Sequence, residues 1–336
     1  MRVAAIEVSH WHSLYDAAYL RILSGIPGVE LVGLHDPDVA VAAKRARELG
    51  APPVFTDYRE MLDKTKPDFV VALGRHSGMA ETALHLLDRG VPFMMEKPMG
   101  LHAGEVSRIA DRAAAQKAFV AVAFPQRYSP FVARARQMLA EGRFGTLSHL
   151  YFRLNRPTSA RYPAWDSPWM LDPAQAGGGC LRNLGSHVFD LFLLLTGEEA
   201  TVTGAQLSAR ALGQRVEDFA SVLLRSTSGV LGTVEIGNTV PYAGSDSEWK
   251  MAGRDAILVY DHHDTMRLIT AEGEETISAP PAEALYPTAV RDIVDHCRRG
   301  LPPPVSVHDC LRVVRLIDQA YDLAGLRSGS ADVTEP

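Results

Sequence analysis

Between residues 3 and about 123, short apolar runs alternate with segments whose apolar positions recur at helical spacing. The runs cover 3–8, 30–34, 69–73, 93–95 and 119–123. The helical stretches between them include 39–49, 80–89 and 103–116, with Gly50 and Gly90 placed to end helices. A strand that is apolar along its whole length must be covered on both faces, so strands of this kind separated by helices predict a doubly wound parallel sheet. After Gly142-Arg143-Phe144-Gly145 the pattern switches. Segments 149–154, 201–210, 220–226, 230–236, 248–252, 256–260 and 265–269 read as strands joined by Gly, Ser and Asp turns, with one helix, 184–195, ahead of most of them. Strands that follow one another without intervening helices predict an antiparallel sheet. Helical spacing returns at 286–299 and 307–324, around the Pro302-Pro303-Pro304 break. The expected division is a doubly wound α/β domain over residues 1–125, a second domain over 126–327 and a loose tail at 328–336.

A length of 336 residues suits two such domains, each able to bury its own core. The formal net charge of −6 supplies no basic stripe for a phosphate backbone, so no nucleic-acid partner is expected. No apolar run approaches the roughly 18–20 residues that a membrane helix needs. Glu7 interrupts the first apolar run after only four residues, which suits a first strand and not a signal-peptide core. Cys180, Cys297 and Cys310 match neither zinc spacing nor a disulfide framework, so a reducing, cytoplasmic setting is expected.

The turn after the first strand reads Glu7-Val8-Ser9-His10-Trp11-His12, where a dinucleotide fold shows G-x-G-x-x-G. Those glycines allow a tight turn and let a pyrophosphate reach backbone N–H groups, and every one is substituted here. The second strand ends Leu34-His35-Asp36, and an acid there accepts from ribose hydroxyls while repelling a 2′-phosphate; helix capping is the competing role. Met95-Glu96-Lys97-Pro98 follows a predicted parallel strand, at the end where such folds bind ligands. The Lys97 ammonium there suits a developing alkoxide, against the plainer role of a surface partner to Glu96. In Gly177-Gly178-Gly179-Cys180-Leu181-Arg182-Asn183-Leu184-Gly185-Ser186-His187-Val188-Phe189-Asp190, residues Asn183 and His187 share a helical face and the glycines permit close approach to a ligand or to another strand.

Taken in order, Asp36-Pro37-Asp38, Glu96-Lys97-Pro98, Gln126-Arg127-Tyr128-Ser129-Pro130, Gly142-Arg143-Phe144-Gly145 and the 177–190 stretch resemble the Gfo/Idh/MocA oxidoreductases over nearly the whole chain. The resemblance implies a Rossmann domain followed by an α/β domain with a large, mostly antiparallel open sheet that supports homo-oligomers. It implies NAD as cofactor and a sugar, polyol or cyclitol as substrate, oxidised at a carbinol. Lys97, His187 and Asn183 fall on the catalytic positions. Ser9, His10, Trp11, His12, Asp36, Gly74, Arg75, Glu96 and Lys97 fall on the cofactor-binding ones, and Arg127 and Asn183 beside the substrate. The chain departs from the family pattern at Glu7, Ser9 and His12 for the three glycines, at Gly74-Arg75 for the usual Thr-Pro, and at Asn183 for an acid. Two other functions remain compatible with these residues: a redox-neutral elimination or hydrolysis assisted by NAD, and a non-catalytic sugar-binding or regulatory protein.

Trp165 and Trp169 sit in a Pro-broken loop, where aromatic faces suit sugar C–H surfaces or rigid loop packing. His10 and His12 on alternate positions, with His35 and His76 at neighbouring strand ends, raise a metal reading. No carboxylate pair or cysteine beside them completes a ligand set, so no metal is assigned and the imidazoles are expected to fill space. Cys180 reads as a small packing residue, and His262-His263 as a solvated turn.

Overall fold

The computed structural model describes residues 1–15, 17–261, 265–278 and 285–326, which leaves the 328–336 tail and the His262-His263 turn outside the described residues. The chain forms two compact units, the first comprising 1–124, 162–170 and 286–312 and the second 125–161, 171–285 and 313–336.

In the first unit β1 (Arg2–Ile6), β2 (Glu30–His35), β3 (Val54–Phe55), β4 (Phe69–Ala72), β5 (Phe93–Met95) and β6 (Val120–Val122) form one sheet in the order β3-β2-β1-β4-β5-β6, every neighbouring pair parallel. The crossovers carry α1 (Tyr19–Ser24), α2 (Val39–Arg47), α3 (Tyr58–Thr65), α4 (His76–Asp88) and α5 (Ala103–Gln116). Val3, Ala5, Phe69, Val71 and Met94 are buried with Leu20 and Leu23 of α1, and the alternate residues Ala4, Val70, Ala72, Phe93 and Met95 are buried too, which is why these strands read as unbroken apolar runs. The strand order reverses between β1 and β4, so the carboxyl ends of β1, β4 and β5 open on the crevice where doubly wound sheets bind ligands.

The second unit holds α6 (Pro130–Ala140), β7 (Leu147–Pro157), the single turns α7 (Arg161–Ala164, which runs on into the first unit) and α8 (Pro173–Ala176), and α9 (Ser186–Thr196). Seven further strands follow: β8 (Ala200–Ser208), β9 (Phe219–Ser226), β10 (Leu231–Val240), β11 (Asp246–Gly253), β12 (Ala256–Tyr260), β13 (Thr265–Thr270) and β14 (Gly273–Ser278). The eight strands lie in the order β14-β13-β12-β11-β7-β10-β9-β8, with β10–β7 the one parallel pair. The open, mostly antiparallel sheet expected from the resemblance is therefore present. Trp249 of β11 is fully buried and touches Phe131 of α6, Phe152 of β7 and Tyr260 of β12 edge-on, which pins α6 to one sheet face. A Cβ on Gly232 would stand 2.7 Å from the Phe192 ring, so a glycine in β10 is what lets α9 lie against the sheet.

The chain ends in α10 (Leu285–Arg298) and α11 (Val307–Leu323). From α10, Val290, Ile293 and Val294 enter the core of the first unit. The apolar pattern did not predict β14, which is built from Gly-Glu-Glu-Thr-Ile-Ser and has exposed residues at Gly273–Thr276: an edge strand gains its order from pairing with β13, not from burial. Among the described residues no helix is long and apolar enough to cross a membrane.

Candidate active site

At the crevice of the first unit, β1 leads into Glu7, which takes the place of the first fingerprint glycine and adopts φ 55°. That left-handed conformation costs an L-residue about 1–2 kcal/mol, and tertiary bonds hold it. The Glu7 amide donates to His35 Nδ1 at 3.3 Å, and the Glu7 carboxylate accepts from the Arg75 amide at 3.1 Å, beside Gly74. Burial raises the Glu7 carboxyl above its ordinary range, opposed by the Arg75 amide and charge.

Asp36 is 2% exposed and accepts from the Ser9 amide at 2.7 Å and the Asp38 amide at 3.0 Å. Helix capping falls instead to Asp38, whose carboxylate accepts from the Ala40 amide at 2.9 Å. Asp36 thus closes the first turn, and an ionised carboxylate has about four acceptor positions, so two stay open for ribose hydroxyls.

His10, Trp11 and His12 form a short 3₁₀ turn (Trp11–Ser13, capped by His10), and all three side chains are buried. The His10 ring stacks on Trp11 with centroids 4.0 Å apart, and its Nδ1 accepts from the His12 amide at 3.1 Å. His12 Nδ1 donates to Glu96 Oε1 at 2.8 Å across the crevice. Burial, joined by the charge of His12, holds the His10 imidazole well below its ordinary range. Burial alone would raise the Glu96 carboxyl, but His12, His10 and Lys97 together hold it well below the carboxylate range. Lys97 is 2% exposed and follows directly on this pair. The plain reading of Lys97 as a surface residue is overturned.

The two tryptophans part company. Trp169 is buried against His10 and Trp11, at 6.0 Å each, and meets the His76 ring edge-on at 5.0 Å. Trp165 stays half-buried. The 162–170 segment, predicted to serve the second domain, belongs to the first unit and fills the room that three glycines would leave. Sequence reasoning also missed Arg45. This fully buried side chain of α2 donates to the Val8 carbonyl at 3.3 Å and to the Tyr15 hydroxyl at 2.9 Å, which ties the first turn to α2.

In the second unit Asn183 and His187 are buried, at 3% and 6% exposure. Asn183 lies in a π-helical turn at Leu181–Gly185, where the spacing predicts a regular helix, and His187 lies in the first turn of α9. Such turns are frequent at functional sites because they re-aim side chains. The glycines before it face protein: a Cβ on Gly178 would lie 1.9 Å from the Tyr321 hydroxyl and one on Gly179 would lie 2.1 Å from the Glu217 carbonyl oxygen. The Glu217 carboxylate accepts from the Gly179 amide at 2.8 Å, the Leu181 amide at 2.9 Å and the Tyr321 hydroxyl at 2.8 Å, so it caps the helix that carries Asn183 and His187. Arg182 is fully buried, bonded to the Gly177 carbonyl at 2.9 Å and Asp318 at 3.0 Å. Arg127, taken as a substrate residue, makes a two-pronged ion pair to Asp190 of α9 at 2.8 and 2.5 Å. Cys180 is fully buried, and burial pushes its thiol well up, as a packing role requires.

Glu217→Gln is expected to destabilise the protein by about 1–3 kcal/mol in urea denaturation, because the amide NH₂ would face one of the two backbone donors, Gly179 or Leu181. Burial raises the Glu217 carboxyl above its ordinary range. The stability that its protonated form supplies is present below the unfolded value and is lost as pH rises through the folded one, so the variant's stability should vary less with pH there. A midpoint that does not move at any pH would remove Glu217 from this role.

A parallel sheet with a ligand crevice at its switch point, together with a separate open-sheet unit carrying a buried His on a glycine-led helix, defines a two-domain α/β oxidoreductase. The model of the oxidoreductase family with the NAD-binding Rossmann fold matches residues 10–124, and the Gfo/Idh/MocA C-terminal domain model matches 132–259. The chain belongs to the Gfo/Idh/MocA family of dehydrogenases, whose cofactor is NAD. It is 26% identical to trans-1,2-dihydrobenzene-1,2-diol dehydrogenase of Sus scrofa over 78% of this chain and 79% of that one. It is 23% identical to scyllo-inositol 2-dehydrogenase (NAD(+)) of Bacillus subtilis over 85% and 84%. Among solved structures, levoglucosan dehydrogenase in complex with NADH and levoglucosan superposes with a TM-score of 0.81 at 21% identity, covering 97% of each chain.

The crevice fits NAD at the adenosine ribose, where Asp36 keeps two acceptor positions open. At the pyrophosphate it offers a different surface from a glycine turn. The amides of Ser9, His10 and His12 are committed to Asp36, to the Glu7 carbonyl and to His10 Nδ1.

Proposed function

We propose that this protein is an NAD-dependent dehydrogenase of a sugar, polyol or cyclitol. The observation that carries the reading is the buried Lys97 at the carboxyl end of β5, in a chain whose relatives along most of its length include an inositol dehydrogenase. NAD, when bound, accepts the hydride from the substrate carbon. Lys97 holds the substrate hydroxyl and stabilises the alkoxide as it forms. His187 takes the hydroxyl proton, for which an imidazole is suited near neutral pH. Asn183 hydrogen-bonds the substrate without adding charge. Arg127 fixes α9 through Asp190, and Trp165, less buried than Trp169, is the aromatic that faces the sugar.

Homo-oligomers form, in this reading, on the uncovered face of the open sheet, where Leu223 and Leu231 are 48% and 50% exposed. Incubating the protein with NAD and a panel of inositols and pyranoses, and following NADH fluorescence, tests the activity. Net NADH is expected with at least one cyclic polyol, and turnover without net NADH would point to redox-neutral chemistry.

Asp36, with Glu7 and Asp38 nearby and no cation adjacent on β2, sets the cofactor choice. NAD(H) is expected to bind about tenfold or more tightly than NADP(H) in fluorescence titrations, because a 2′-phosphate would meet these carboxylates. Equal binding would remove Asp36 from the ribose site.

A further inference from the structure

We propose that His10, His12 and Glu96 form a binding site for one divalent transition-metal ion of the zinc class. One donor atom from each lies within 4.8 Å of the other two, and all three residues are buried, at 2%, 4% and 1% exposure. Donors around a tetrahedral zinc sit about 2.0–2.2 Å from the ion and so about 3.3–3.5 Å apart. Side-chain rotation of the order of an ångström therefore gathers the set.

Binding an ion exchanges protons and hydrogen bonds of this set for metal bonds. His10 Nδ1 accepts from the His12 amide at 3.1 Å, and to ligate, the imidazole must turn this lone pair from the amide to the ion. His12 Nδ1 and Glu96 Oε1 lie 2.8 Å apart with one proton between them, and a dication that displaces this proton is held by both atoms. The remaining carboxylate oxygen, Glu96 Oε2, is buried with no hydrogen-bond partner among the described residues. A buried carboxylate oxygen left in this state is costly, and an ion would satisfy it.

The donor chemistry selects the ion. Two imidazoles and one carboxylate suit zinc or cobalt, whereas magnesium and calcium favour all-oxygen cages. Three protein ligands leave the fourth position to water or to an oxygen of a bound small molecule. The Lys97 ammonium beside the site opposes a dication, so an oxygen anion is the favoured fourth ligand. The ligand set was hidden because Glu96 lies 84 residues from His12 in the chain.

The test uses the whole purified chain, stripped with a chelator and dialysed. Calorimetric titration with zinc chloride is expected to give one ion per chain, with no comparable heat from magnesium. His12→Ala and Glu96→Gln are each expected to weaken zinc at least tenfold, while His149→Ala, an exposed histidine, leaves it unchanged. Cobalt(II) added to the unaltered chain gives a readout that does not depend on the variants folding: an intense visible band marks a four-coordinate site. A chain that holds no zinc overturns the proposal. So do a weak six-coordinate cobalt spectrum and variants that bind zinc as the parent does. None of these readouts uses catalytic activity, so they stand apart from the dehydrogenase assay.

Discussion

Replacing Lys97 by alanine is expected to lower kcat by about 10²–10⁴-fold, the range spanned by removal of one charge-stabilising group at a reacting oxygen. The loss should fall on kcat and kcat/KM together, because the ammonium acts most strongly on the negative charge that appears only in the transition state. Lys97 is buried beside Glu96, and removing it leaves that carboxylate to His12 and His10. The urea midpoint of the variant tells the two roles apart. A fold retained with turnover lost supports the assignment. Normal turnover on an identified substrate would require that it be dropped, and a collapse in stability with normal specific activity of the folded fraction would make Lys97 structural.

His187→Asn is expected to cost a similar factor and to abolish the acid limb of the kcat/KM profile. Asn183→Asp should move that limb upward in pH. The sign follows from charge: a carboxylate one turn before His187 favours the imidazolium, so the base loses its proton only at higher pH, whereas the native amide exerts no such pull. An acid limb that stays fixed in Asn183→Asp would mean that residue 183 does not act on the base. A limb that survives His187→Asn would identify a different titrating group.

Two residues show how position alone can change a role. Arg127 and Trp169 both read as substrate contacts, one from the resemblance and one from its aromatic face. In the folded chain Arg127 is tied to Asp190 by two hydrogen bonds, and Trp169 is buried on the first turn of the other unit. Of the two approaches open to the triple glycine, Gly178 and Gly179 show the one to protein, making room for Tyr321 and Glu217.

By itself the sequence determined the parallel and mostly antiparallel sheets, most helix and strand spans, and the placing of Lys97 at a strand's carboxyl end. These follow from periodicity and from chain order, which are local and need no knowledge of partners. The tertiary structure alone decided who pairs with whom: His12 with Glu96 across 84 residues, Glu217 with Gly179 across 38, and Tyr321 with Glu217 across 104. A charged or polar residue read along the chain carries no mark of its partner. Only burial, which makes an unpaired polar group costly, forces these distant groups together.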